Sequence, residues 1–193
     1  MILPAVFYIT WDSCFTKWGV WNFSKDHITG IQYFGLPLEE ILFFFVVPYC
    51  CVFIYECIRC YFPQIKNEKK ALLFLKALAI VVLITGIVFY QKRYTSYTFI
   101  FLAVALLFFL LFKKNFPRFN AAVFLLSYAI ILVPFLIVNG FLTAIPVVLY
   151  NSGENLGIRI YTIPLEDVFY GMLLFFLNIL IFEKLRNRTA PGN

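Results

Sequence analysis

Apolar residues run in five long stretches, at 37–62, 71–90, 96–112, 120–138 and 164–183. Each is long enough, or nearly so, to cross about 30 Å of hydrocarbon as an α-helix. Residues 1–11 form a sixth apolar stretch of about half that length. The connections 63–70 (PQIKNEKK), 91–95 (QKRYT) and 113–119 (KKNFPRF) are short and basic. Two longer polar connections, 12–36 and 139–163, each end at a proline that opens the next helix. The pattern predicts an all-α polytopic membrane protein with a single membrane domain over residues 1–193.

Composition excludes a soluble alternative. Of the 193 residues 63% are hydrophobic and 13% charged, against roughly 45–50% and about 25% in a soluble domain. A water-soluble core could not cover that apolar surface. A secreted disulfide scaffold and a soluble dinucleotide enzyme are excluded, and despite the net charge of +6 no nucleic-acid partner is expected. Neither G-x-G-x-x-G nor G-x-x-x-x-G-K-[ST] occurs. Cys14, Cys50, Cys51, Cys57 and Cys60 lack paired metal-ligand spacing and read as small hydrophobes. The sequence therefore predicts neither a cofactor nor a metal. No basic stretch precedes the first apolar residues, so no cleavable leader is expected.

Cations set the expected orientation. Arg59, Lys66, Lys69, Lys70, Lys113, Lys114, Arg118, Lys184, Arg186 and Arg188 fall on one side of the predicted bundle. Lys17, Lys25, Lys92, Arg93 and Arg159 fall on the other. The positive-inside bias puts the C-terminus in the cytoplasm, and the expected location is the bacterial cytoplasmic (inner) membrane.

The chain repeats itself. GIQYFGLPLEEILFFF at 30–45 aligns without a gap on GIRIYTIPLEDVFYGM at 157–172, an offset of 127 residues. Gly30, Pro37, Leu38 and Glu39 meet Gly157, Pro164, Leu165 and Glu166; Glu40 meets Asp167, and Glu56 meets Glu183. Upstream, Asp12 falls on Asn139 and Phe23 on Tyr150. The offset predicts two parallel three-helix repeats joined by a linker helix, a 3+1+3 plan with the site between the repeats. Repeat one covers 1–62, the linker helix 71–90 and repeat two 96–183. Repeat one is short of a full first helix, so the chain reads as truncated at its N-terminus.

An acid inside the bilayer is a functional candidate by default. Glu39 and Glu40, with Glu166 and Asp167, sit one turn into their helices, as candidate catalytic residues. Acids in a first helical turn also have an ordinary explanation in the helix dipole. Two such pairs at equivalent places favour function. Adjacent helical residues point about 100° apart, so one acid of each pair lines a given cavity. Two carboxyls meeting near the repeat axis would leave one protonated, the state a general acid needs. Glu56 and Glu183 read as snorkelling to loop cations. Asp12, Asn139, Asn151 and Arg159 are candidate supporting groups, with Asp12 and Asn139 placed to orient the acids or to satisfy a helix broken at Pro134, Gly140 and Pro146. Trp11, Trp18 and Trp21 suit an interfacial belt and equally a cation-facing wall, and Trp21 is taken as a candidate supporting residue. His27, in a connection, reads as solvated.

The segments WDSCFTKWGVWNF, GIQYFGLPLEEILFFFVVPYCCVFIYE and VNGFLTAIPVVLYNSGENLGIRIYTIPLEDVFYGMLLFFLNILIFE resemble the membrane-type lycopene cyclase domain. That family includes the heterodimeric bacterial cyclases and the cyclase half of fungal and archaeal fusions. The duplicated P-x-E-[ED] motif, here PLEE and PLED, carries the resemblance. It implies an isomerase, a lycopene β-cyclase of carotenoid biosynthesis, closing β-ionone rings by proton-initiated carbocation chemistry without net redox. It also implies acid–base work for Glu39, Glu40, Glu166 and Asp167, lycopene or a related acyclic carotenoid as substrate, and membrane lipid as surroundings. A second copy of the chain or other carotenoid-pathway enzymes are the protein partners to expect. Two other readings stand beside this one: a small 3+1+3 transporter or channel, and a non-catalytic carotenoid-binding subunit. The near absence of polar residues from 71–90 and 96–112 speaks against a transport pathway.

Overall fold

Five helices in the computed structural model are long and apolar enough to cross a membrane. The structure describes residues 1–65 and 67–189, without the side chains of 187–189, so Lys66 and the Arg188 side chain lie outside the described residues. Helix α1 spans Ile2–Lys17, α2 Leu38–Tyr61, α3 Glu68–Val88, α4 Arg93–Leu111, α5 Ala121–Ala144 and α6 Leu165–Thr189. The protein is an all-α polytopic membrane protein, as its hydrophobic pattern predicts. Helix α6 lies against α1, α2, α4 and α5. Its middle is the most enclosed stretch of the fold, with Leu173, Phe175, Phe176 and Ile179 all buried.

Two helices run further than the pattern predicts. Helix α1 continues past residue 11 through Asp12 to Lys17, and α5 continues through Pro134, Asn139 and Gly140 to Ala144. The polar residues Asp12 and Asn139, which mark these stretches as connections, instead lie within helices and line an internal cavity. Asp12 is buried and accepts a hydrogen bond from Tyr170, so a carboxyl at this position does not end the helix. The expectation of a helix broken at Pro134 and Gly140 is therefore corrected.

Six short strands, which the pattern did not predict, link the helices at one end of the bundle. They are β1 Trp21–Phe23, β2 Gln32–Tyr33, β3 Leu36–Pro37, β4 Val148–Tyr150, β5 Arg159–Ile160 and β6 Ile163–Pro164. Two-residue strands are too short for alternation to register. Strands β2–β3 and β5–β6 are tight hairpins, while β1 pairs antiparallel with β4. Each hairpin tip holds a residue with positive φ, Phe34 at 58° and Tyr161 at 59°. Gly30 and Gly157, at φ 84° and 78°, turn the chain into each hairpin, a backbone region glycine enters without strain. All these features are spaced by the 127-residue offset.

The β1–β4 register follows the same offset. Trp21 pairs with Tyr150, Asn22 with Leu149 and Phe23 with Val148. Trp21 is equivalent to Val148 and Phe23 to Tyr150, so the ladder is two-fold symmetric about Asn22 and Leu149. The flanking bonds obey the same operation: Ser24 N donates to the Val147 carbonyl and Asn151 N to the Val20 carbonyl, both at 2.9 Å.

The opposite end of the bundle is tied by ions. Glu56 pairs with Arg59 at 2.8 Å and with Arg186 at 2.9 Å, and Arg59 also reaches Glu183 at 2.9 Å. Glu56 and Glu183 thus meet arginines on their own two helices rather than loop cations. The Glu183 side chain is fully buried, and removing one partner of a buried pair leaves a desolvated charge behind. Arg59→Ala is expected to lower stability by about 3 kcal/mol, the low end for such a loss because Arg59 is partly exposed. A lowered unfolding temperature in detergent checks this.

Candidate active site

Each P-x-E-[ED] motif is held by its hairpin. Pro37 lies in the ladder with extended backbone, φ −64° and ψ 150°, and caps α2 rather than occupying its first turn. Leu38 N then donates to the Ile31 carbonyl, and Leu165 N to the Ile158 carbonyl, both at 2.9 Å. The first acid of each motif folds back over the hairpin. Glu39 accepts from Thr29 N at 2.7 Å, and Glu166 accepts from Leu156 N at 2.7 Å. Glu166 also accepts from the Thr95 hydroxyl at 2.5 Å and is wholly buried, whereas Glu39 is exposed.

With the first acids turned back, the second acids point inward. Glu40 and Asp167 line one small cavity together with Asp12, Trp21 and Asn139. Its volume is about 70 Å³, room for a few water molecules. The Asp12 and Glu40 carboxyls are in side-chain contact. Asp167 accepts from the Tyr94 hydroxyl at 2.5 Å and the Tyr150 hydroxyl at 2.8 Å. Asp12 accepts from the Tyr170 hydroxyl. Aromatic rings form most of the rest of the wall, completed by Leu142, Thr143 and Val148: Tyr94 stacks on Tyr150 with ring centroids 5.8 Å apart, and the Trp21 ring meets Tyr94 edge-on at 5.1 Å. Burial, reinforced by the neighbouring Asp167 carboxylate, pushes the Tyr150 hydroxyl well above its usual range, so it keeps its proton and donates it to Asp167.

The loop after β4 delivers the tyrosines. Asn151 anchors it, donating to the Gly19 carbonyl at 3.1 Å and accepting from Gly153 N at 3.0 Å. Tyr94 N donates to the Glu154 carbonyl at 2.9 Å, and Lys92 reaches the Asn155 carbonyl at 2.6 Å. The start of α4 is thereby fixed so that Tyr94 and Thr95 reach Asp167 and Glu166.

Of the candidates drawn from the sequence, Asp12, Trp21, Glu40, Asn139 and Asp167 converge on the cavity. Glu39 and Glu166 bond the hairpins instead, Asn151 anchors a loop, and exposed Arg159 bonds the Thr162 carbonyl at 2.7 Å within its own hairpin. Trp18 is exposed, but Trp11 and Trp21 are buried, which corrects the belt expectation for those two. Their rings pack on Tyr170 and Phe101 or on Tyr94 rather than at a lipid interface. His27 is exposed. Tyr94, Tyr150 and Tyr170 were missed. Tyr170 carried a signal, since it lies three residues after Asp167 and shares its helix face.

Glu39→Gln keeps an oxygen for Thr29 N, whereas Glu39→Ala removes it. The Ala variant is expected to lose several-fold more of whatever activity the site supports, with the Gln variant within about ten-fold of the parent. Steady-state turnover at matched protein levels separates the two.

The site thus gathers three carboxyl groups and four aromatic hydroxyl or indole rings around one cavity of a polytopic helical membrane protein. The chain belongs to the lycopene cyclase family, whose sequence model matches residues 1–58 and 91–185. A bifunctional lycopene cyclase/phytoene synthase of Aspergillus niger is 24% identical over 83 residues, covering 40% of this chain. The matched region spans 14% of that protein's length. No solved structure matches the chain.

Proposed function

We propose that this protein is a lycopene cyclase acting within the bilayer, an isomerase that closes β-ionone rings in carotenoid biosynthesis. The observation that carries the proposal is the convergence of Asp12, Glu40 and Asp167 with aromatic rings on one cavity. Cyclisation needs a strong acid, a base and a wall that tolerates a carbocation. A proton adds to the terminal double bond of the polyene. The neighbouring alkene attacks the resulting tertiary cation, forming the ring bond, and a ring proton leaves. One proton enters and one departs, so substrate and product are isomers.

The two sides of the cavity suit the two proton steps. Two carboxyls side by side in an apolar pocket cannot both carry charge at modest cost, so Asp12 and Glu40 hold a proton between them, and Glu40 delivers it. Asp167, held by the Tyr94 and Tyr150 hydroxyls, stays a carboxylate and takes the ring proton. Trp21, Tyr94 and Tyr170 present π faces to the cation. Glu39 and Glu166 are positioning residues that lock the hairpins, and Asn139 is a polar edge of the cavity. Residues 1–62 and 96–183 act as two copies of one unit around α3, with the C-terminus on the cytoplasmic side of a bacterial inner membrane.

Pigment analysis in lycopene-accumulating bacteria tests the proposal. Expression is expected to convert lycopene to carotenes with one or two β-rings. Lycopene left unchanged beside abundant membrane-inserted protein would refute it.

A further inference from the structure

The acid cavity is too small to hold an isoprenoid end group without help from its surroundings, so the polyene must reach it through an adjoining space. Three apolar grooves lie on the membrane face. The one among α3, α5 and α6, of about 490 Å³, shares no lining residue with the acid cavity. The other two border α2 and α4. One, of about 180 Å³, lies between α2 and α5 and shares Phe43, Phe135 and Asn139 with the acid cavity. The other, of about 450 Å³, lies between α4 and α6 beside Phe7. It shares no lining residue with the acid cavity. Trp11 stands between the two, its ring 4.9 Å from Phe101 of that groove and 5.2 Å from Tyr170 of the cavity.

The 127-residue offset explains why one side is open and the other shut. It maps the α2–α5 seam onto the seam between α6 and α1. There Val138 becomes Trp11, Phe135 becomes Tyr8, Phe43 becomes Tyr170 and Asn139 becomes Asp12. At the α1–α6 seam Tyr8 packs on Tyr170 at 4.7 Å and donates to the Tyr170 carbonyl at 3.0 Å, and Trp11 is buried over both. At the α2–α5 seam Val138 is 53% exposed and leaves the same position unfilled. Gly171 stands where the other half carries buried Phe44, and a methyl group there would come within 3.3 Å of the Phe135 ring. The missing side chain gives Phe135 its place at the mouth of the cavity.

We infer that the seam between α2 and α5 is the single lateral portal, through which one end of an acyclic polyene enters from the lipid while the rest of the chain lies along the groove. The groove follows α2 from Phe43 to Ile54, about 16 Å at 1.5 Å per residue. Its walls are apolar apart from Asn139 at the cavity end and the thiols of Cys50 and Cys51. With only one of two equivalent seams open, the enzyme processes one end group per visit, and a second ring requires the polyene to leave and turn round. The identity of the occupant rests on the cyclase proposal; the position of the portal rests on the packing.

The test has two arms. In membranes containing the full chain, a diazirine-bearing geranylgeraniol is photolysed and the labelled peptides are mapped. Label on the peptides carrying Val138 and Cys50, competed by lycopene and reduced at least ten-fold by Val138→Trp, is the expected result. Label concentrated around Val104 and Leu177 would overturn the inference. In the second arm Val138→Trp and Cys50→Trp are each expected to cut ring formation at least ten-fold, while Val104→Trp leaves it unchanged. Ring formation unchanged in both groove variants would overturn the portal and leave the cyclase standing. Label confined to the α2–α5 groove without any ring formation would uphold the portal and refute the cyclase.

Discussion

Glu40→Gln is expected to lower conversion of lycopene about a thousand-fold, within the 10²–10⁴ range of a general acid, with membrane levels of the protein unchanged. That loss corresponds to about 4 kcal/mol of barrier at 1.36 kcal/mol per decade. Glutamine keeps the shape of the side chain and its place on the cavity wall, but has no proton acidic enough to add to an alkene. Because Asp12 touches Glu40, Asp12→Asn is expected to cost less than Glu40→Gln. The pair should also be strongly non-additive, as residues sharing one proton must be. Membrane levels and unfolding temperature accompany each rate, so that a folding defect is not mistaken for lost chemistry. A Gln variant that turns over at the parent rate would remove Glu40 from the acid role.

Asp167→Asn is expected to cost about a hundred- to a thousand-fold, through the second proton step. The amide keeps one oxygen for one of the two tyrosine hydroxyls and places an NH2 donor where the other oxygen accepts, so the cavity keeps the shape of that side chain while losing its base. Tyr94→Phe and Tyr150→Phe each remove one of the two bonds that hold the carboxylate. Each is expected to cost roughly ten-fold, about 1.4 kcal/mol. The double variant should approach Asp167→Asn without exceeding it. If the two tyrosine variants together cost more than Asp167→Asn, the rings matter chiefly as walls, and proton acceptance by Asp167 is not the step they serve.

Much of the architecture was readable from hydropathy, because a bilayer demands long apolar stretches and tolerates few exceptions. The helix ends were less readable. Asp12 and Asn139 look like the start of polar connections, yet both lie inside helices, since a buried carboxyl with a tyrosine donor costs a helix little. The hairpins escaped notice because their strands are two residues long; the repeated glycine and proline were the visible trace of them. The same offset brought the acids to equivalent places, but it could not say which acid of each pair faces inward. That depends on Thr29 N and Leu156 N, backbone groups with no side-chain signature, which turn Glu39 and Glu166 away. Tyr94 and Tyr150 reach the site through the docking of the 151–156 loop on α4, a long-range contact that no local pattern encodes.

The central claim is that ring closure begins with a proton delivered inside the bilayer and ends with a proton returned. It is tested most directly by converting lycopene with the membrane-embedded protein in D2O and weighing the product. Each ring formed is expected to carry one deuterium, with no other change in composition relative to the substrate. Rings that form without deuterium, or a product differing from lycopene by two hydrogens, would contradict it.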